Sequence, residues 1–333
     1  MANSKRHTTP RQRLLLASLC LVVLSLLASS CHNPAKEVHF ARFERLLFGT
    51  DTDRLQEELL LHRAEYNTPL LNCAPNDPYY MQAVSALVSD PTMQYVFHVT
   101  DSLFSDLSPE EKELGRALAR AQRLCSSIRC ERFFTLVTGD YNNYQNRVFC
   151  DQESLCISLD HYAVPLMQQY GAFGVPAYLQ RLLQPQYIVP DCMAAIARSH
   201  IALPDAELTL LDYAVAEGKT LYFLEQVLPS LPDTLLLRYT PEQLRWMRDN
   251  TANAWGWMVQ NRALFSSDPA TIRNLVDEAP KTNIFGEGSA PRIAAYIGLQ
   301  IVRAYMKKNH SSIEELFALA DSRQILDASA WRP

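Results

Sequence analysis

The stretch from Tyr187 to Leu224, YIVPDCMAAIARSHIALPDAELTLLDYAVAEGKTLYFL, most constrains what this chain can fold into. Apolar residues recur there at helical spacing and Pro204 interrupts them, so it reads as two consecutive helices. The first ends in His200 and the second carries Glu217. Zinc sites are built from a histidine-bearing helix followed by a glutamate, but they need three protein ligands. Setting His200 as the second histidine of an H-E-x-x-H pattern puts Ile196 and Ala197 where the first histidine and the glutamate belong. Isoleucine cannot ligate zinc, and alanine cannot act as general base on a metal-bound water. None of the eight histidines has another four residues away, so the pattern occurs nowhere. The simpler expectation is a C-terminal histidine favoured by the helix dipole and a Glu217 paired with a neighbouring Lys or Arg. The alternative is a metal role for the two residues from adjacent helices.

Around this stretch the chain reads as mainly helical. Gly is rare, at 10 of 333 residues, whereas Pro numbers 19. Few obligatory left-handed turns and many prolines favour helices that open on a proline. Ser108-Pro109-Glu110-Glu111, Thr240-Pro241-Glu242-Gln243 and Asp268-Pro269 have that form, and Thr50/Asp53 and Ser311/Glu314 read as capping boxes. Between Glu131 and Leu159 the period changes: Arg132–Thr138, Arg147–Cys150 and Leu155–Leu159 favour β structure. The expectation is an α+β fold over residues 41–333 as a single domain. It has a small antiparallel sheet of about three strands in the first half and a helical C-terminal part. Gly218 and Gly298 sit inside helical patterns at a cost of about 1 kcal/mol relative to alanine. Each marks a close approach by a neighbouring backbone, a bulky side chain or a ligand. The loop Asn283–Ser289 (NIFGEGS) is expected to be ordered by Arg292 or to receive an anion at the following helix.

The N-terminus fixes the compartment. Lys5, Arg6, Arg11 and Arg13 precede apolar and small residues from Leu14 to Ala28, then Ser29-Ser30-Cys31. Such a run matches a secretory core and is short for a membrane span of about 20 residues. Residues 1–30 therefore read as a lipoprotein signal peptide, Cys31 as its lipidation site, and 31–40 as a lipidated tether. The alternatives are an uncleaved N-terminal anchor and an ordinary signal peptide followed by a chance cysteine. Without residues 1–30 the chain has a formal charge of −9, which gives nucleic acid no electrostatic reason to bind. Attachment to the membrane would then rest on acyl chains, palmitate among them, at about 0.8 kcal/mol per buried methylene. Six cysteines remain, with Cys150 and Cys156 expected to pair across a hairpin turn and Cys125 with Cys130 as second choice. No Cys-x-x-Cys, G-x-S-x-G or P-loop occurs, and no cofactor is expected.

Several blocks together resemble the gliding-motility lipoprotein GldB family of Bacteroidetes. They are the lipobox, FERLLFGTD at 43–51, ISLDHY at 157–162, QYIVPDCMAAIARSHI at 186–201, LLDYAVAEGKTLYFLEQVLP at 210–229, YTPEQLRWMRDN at 239–250 and APRIAAYIGLQIVRAYM at 290–306. That family is in turn similar to thermolysin-type (gluzincin-like) zinc peptidases, whose H-E-x-x-H falls on Ile196–His200 and whose downstream glutamate falls on Glu217. The resemblance implies a cell-envelope protein anchored in the outer membrane and facing the periplasm, with partners in the gliding or secretion machinery. It implies a peptidase-like fold without the catalytic residues: a pseudo-peptidase that binds a partner or peptide in a cleft bounded by His200, Glu217, Lys219, Tyr222 and Arg292. A divergent metal-dependent hydrolase using the same cleft is the alternative.

Replacing Cys31 by alanine is expected to abolish metabolic lipid labelling; continued membrane fractionation of that variant would favour the uncleaved anchor.

Overall fold

The computed structural model describes residues 36–140, 145–151, 153–166 and 175–333. The signal segment and Cys31 lie outside the described residues. The chain enters as a packed strap. The Lys36 amide donates to the Gly115 carbonyl at 3.3 Å, its ammonium donates to the Cys130 carbonyl at 2.7 Å, and Val38 is buried. The tether expected over 31–40 is therefore bound to the fold from Lys36 onward.

Strand β1 (Phe40–Arg42) runs directly into α1 (Phe43–Gly49), followed by the short helices α2 (Leu55–Leu61) and α3 (Arg63–Tyr66). Helices α4 (Pro78–Ser89) and α5 (Pro91–Leu103) each begin on a proline whose preceding aspartate, Asp77 or Asp90, accepts from first-turn amides. Helix α6 (Ser108–Leu124) buries Leu114, Ala117, Leu118 and Ala121 on one face, the stripe its spacing predicts. Strands β2 (Arg132–Leu136), β3 (Val148–Cys150) and β4 (Ser154–Ser158) complete a four-stranded sheet of order β1-β2-β4-β3.

The expected antiparallel three-stranded sheet needs correction. β1 pairs with β2 and β2 with β4, both in parallel, and only the edge strand β3 is antiparallel to β4. The β3–β4 hairpin inserts β4, rather than β3, beside β2, and all five β4 residues are buried. A strand buried on both faces shows no polar alternation, which hides its pairing direction in the sequence.

The expected Cys150–Cys156 bond is not formed, because the hairpin register places Cys150 opposite Leu155 and Cys156 opposite Phe149. Neighbouring positions along a strand project to opposite faces, so the two thiols are on different sides of the sheet. Cys125 and Cys130 are also free thiols.

The C-terminal part is helical: α7 (Ala177–Gln180), α8 (Ile188–His200), α9 (Leu210–Val227), α10 (Asp233–Leu237), α11 (Pro241–Gln260), α12 (Pro269–Val276), α13 (Ile293–Asn309), α14 (Ile313–Ala318) and α15 (Ser322–Ser329). Buried apolar side chains from Val38 to Leu326 form one continuous core. Helix α8 packs on β3, α6 and α9, while α9 lies along α13.

The α9–α13 contact is backbone on backbone. A methyl group at Gly218 would sit 2.3 Å from the Gly298 carbonyl carbon, and one at Gly298 would sit 1.7 Å from the Ala214 carbonyl oxygen. Of the close approaches expected at these two glycines, the neighbouring backbone is the one made. Because the obstructing atoms are main chain, they cannot swing aside. Gly298→Ala is expected to destabilise by about 3 kcal/mol, the upper end of ordinary overpacking, whereas Gly256→Ala, which meets nothing, should not destabilise; urea denaturation measures both.

Candidate functional site

Helices α8 and α9, strand β3 and the α12–α13 connection surround a cavity of about 500 Å3. The α8 residues Asp191, Ala195 and Arg198, spaced i, i+4, i+7, form its wall on that side. Arg147 and Val148 come from the start of β3, Glu217 from α9, Arg238 from the end of α10, and Glu278 and Arg292 from the segment before α13.

Seven of these residues form a ladder of alternating charge: Arg147, Asp191, Arg238, Glu278, Arg292, Glu217 and Arg198. Arg147 Nε donates to Asp191 Oδ2 at 2.7 Å, and the buried Tyr162 hydroxyl donates to the same oxygen at 2.6 Å. The other Asp191 oxygen accepts from Arg238 Nη2. Glu278 Oε1 stands 3.8 Å from Arg238 Nε and 3.4 Å from Arg292 Nε. Arg292 Nη2 donates to Glu217 Oε2 at 2.9 Å, and Arg198 donates to Glu217 Oε1 from Nε at 3.2 Å and Nη2 at 3.1 Å. Arg147 and Arg292 are buried, and so is Asp191.

Burial alone would push the carboxyls of Asp191 and Glu217 up. Arg147 and Arg238 outweigh it at Asp191, and Arg198 and Arg292 outweigh it at Glu217, so both lie below the ordinary carboxylate range. Asp277, beside the ladder, lacks such close cover, and burial raises it. Arg238 and Arg292 both occupy left-handed backbone, at φ 61° and 51°. Such geometry costs a non-glycine residue about 1–3 kcal/mol and persists only where its surroundings fix it. Here the guanidinium of each is held by carboxylates on both sides, and the Arg292 carbonyl accepts from the Tyr239 hydroxyl at 3.3 Å.

Of the sequence-predicted cleft residues, only Glu217 and Arg292 meet in the cavity. Lys219 lies about 200° around α9 from Glu217. It is buried on the far side, donating to the Leu319 carbonyl at 2.6 Å, and burial pushes its amine down to about 8. Tyr222 is half-buried outside the cavity. His200 closes α8, with its ring nitrogens 2.9 and 3.4 Å from the carbonyl oxygens of Ile196 and Ser127. The loop Asn283–Ser289 is closed not by Arg292 but by Ser289 and Thr282: Ser289 Oγ donates to the Thr282 carbonyl at 3.0 Å and accepts from the Thr282 amide at 3.1 Å. Sequence reasoning missed Asp191, Arg198, Arg147, Arg238 and Glu278. The legible signal was Asp191 and Arg198, two charges on the otherwise apolar cavity-facing side of α8.

Zinc does not fit this arrangement. Glu217 already accepts from two guanidiniums, and His200 faces carbonyl oxygens rather than that carboxylate. Among the described residues, no group of three or more His, Cys, Asp or Glu side chains is placed to hold a metal ion. Among them, too, no helix is long and apolar enough to cross a membrane.

The family model described as "Gliding motility protein GldB" matches residues 28–333. The chain belongs to the GldB family. The match takes in Cys31, the cavity and every residue of the ladder, so the GldB lipoprotein family covers the site as well as the fold. Comparisons with curated proteins and with solved structures find no match.

Asp191 is the residue on which three donors converge. Asp191→Asn is expected to cost about 3–5 kcal/mol in urea unfolding, since it leaves buried guanidiniums without their counter-charge. Because Asp191 and Glu217 titrate lower folded than unfolded, their contribution is complete above about pH 4 and is lost as pH falls further. The variant should accordingly show a flatter stability profile below about pH 4 than the parent.

Proposed function

We propose that this GldB-family chain is a lipid-anchored envelope protein, held by acyl chains on Cys31 at the outer membrane and facing the periplasm. It acts there by binding an envelope partner or peptide in the cavity between α8, α9 and β3, without catalysing a reaction. In this reading the fold is a peptidase-like framework whose two helices keep their places while the metal chemistry is gone. The observation that carries it is the pairing of Glu217. Its carboxylate is neutralised by Arg198, which stands between Ile196 and His200 in the stretch corresponding to H-E-x-x-H, and by Arg292. Guanidiniums remain protonated at every physiological pH, so a glutamate paired with two of them is poorly suited to take up a proton. The ladder instead offers fixed, oriented charge, which suits recognition.

Crosslinking followed by capture from native membranes tests the reading. Specific envelope proteins should crosslink to the parent and to Lys308→Glu, which alters an exposed residue far along α13, and be lost in Arg198→Glu. Equal capture by Arg198→Glu would move binding away from the cavity. Stoichiometric zinc in the purified parent, lost in a His200→Ala Glu217→Ala double variant, would restore the hydrolase reading.

A further inference from the structure

The ladder ends on an arginine that a ligand can reach. Four guanidiniums face three carboxylates along it. Asp277, beside the ladder on the same cavity wall, is a fourth carboxylate, so the lining as a whole is balanced. Arg147, Arg238 and Arg292 keep their side chains at most 15% exposed, whereas Arg198, at the end of the ladder, is 50% exposed. Release of Arg198 leaves its partner covered, because Glu217 retains Arg292 at 2.9 Å. Freed from Glu217, its planar fork matches a carboxylate in bidentate geometry.

The rest of the cavity narrows the ligand further. Leu179, Leu182, Leu183 and Val276 line it beside the polar ladder, which gives an apolar side chain a wall to pack on. Asp277 and Glu278 add acceptors for N–H groups. The volume of about 500 Å3 falls within the range of about 300–1,000 Å3 that encloses small ligands. It admits the end of a chain rather than a folded surface. An exposed fork, an apolar wall and amide acceptors together describe a single recognisable group.

We propose that the cavity captures the C-terminal carboxylate of a peptide or protein on Arg198, with the last side chain against the leucine wall. This deepens the binding role proposed above and rests on it. One exposed fork in a lining of four guanidiniums and four carboxylates fits a monoanionic carboxylate better than a phosphate dianion.

Titration of the purified mature protein with the tripeptide Ala-Ala-Leu, followed by NMR and calorimetry, provides the test. The free acid should bind, its C-terminal amide at least tenfold more weakly, and acetate and inorganic phosphate more weakly still. Arg198→Gln should reduce affinity for the acid at least tenfold, and Arg198→Lys, which keeps the charge without the fork, should recover part of the loss. No binding of the acid at 10 mM (about the weakest affinity worth calling recognition, near −3 kcal/mol), or equal binding of acid and amide, would overturn the proposal. Equal binding of acetate or phosphate would overturn it too, reducing the site to a general anion site. Failure here with crosslinked partners still lost in Arg198→Glu would leave the binding role standing and remove only the carboxylate. Loss of cavity-dependent crosslinking as well would remove both.

Discussion

The backbone contact between α9 and α13 at Gly218 and Gly298 sets the geometry on which the rest depends. With a main-chain oxygen where a side chain would otherwise stand, the two helices lie closer than any other residue would allow. Glu217 immediately precedes one of these glycines, and Arg292 stands at the N-terminus of the helix that carries the other. Close helix approach therefore brings the carboxylate and the guanidinium together. Without it, each would be a charge next to an apolar core, a situation costing several kcal/mol per ion.

That cost explains why the site is a ladder and not a pair. Each guanidinium has more donors than one carboxylate can use, and each carboxylate has two oxygens to satisfy. Alternation from Arg147 to Arg198 lets each interior member face opposite charge on both sides. The strained backbones at Arg238 and Arg292 belong to the same logic. Each stands at a helix end in left-handed backbone, and two carboxylates hold its guanidinium. Among the described residues six non-glycine positions have such backbone, and at these two a pair of carboxylates fixes it.

Local signals in the sequence translated well where the chemistry is local. The capping box at Thr240 and Gln243 forms as read, and Asp268 caps the helix that starts at Pro269. Others moved by a residue or two. The box expected at Ser311 and Glu314 forms at Ser312 and Glu315, and Thr50 donates back to the Leu46 carbonyl instead of capping α2. What the sequence hid was non-local. A three-residue strand such as β1 has no measurable period, and its parallel pairing with β2 joins segments some ninety residues apart. The cavity was legible in part: the glutamate and Arg292 were named, but Lys219 and Tyr222 were grouped with Glu217 by nearness in sequence. Helical geometry places them on other faces. Asp191 and Arg198 carry the right periodicity, but the histidine that ends the same helix is the more conspicuous chemical signal.

The consequence of that periodicity is a guanidinium, Arg198, set against Glu217. In a site of the zinc type, a glutamate one helix away receives its positive partner from an ion that can leave. Here Arg198, two residues before His200, and Arg292 deliver that charge covalently attached to the chain. A guanidinium has no open coordination position and offers no acidic water, so the arrangement gives up Lewis acidity. It keeps orientation, because a planar fork on a helix that packs against β3 and α9 holds its direction without a bound ion. Of the four arginines, three are fastened into the interior. The fourth, Arg198, stands half-exposed at the rim, and its partner Glu217 also holds Arg292.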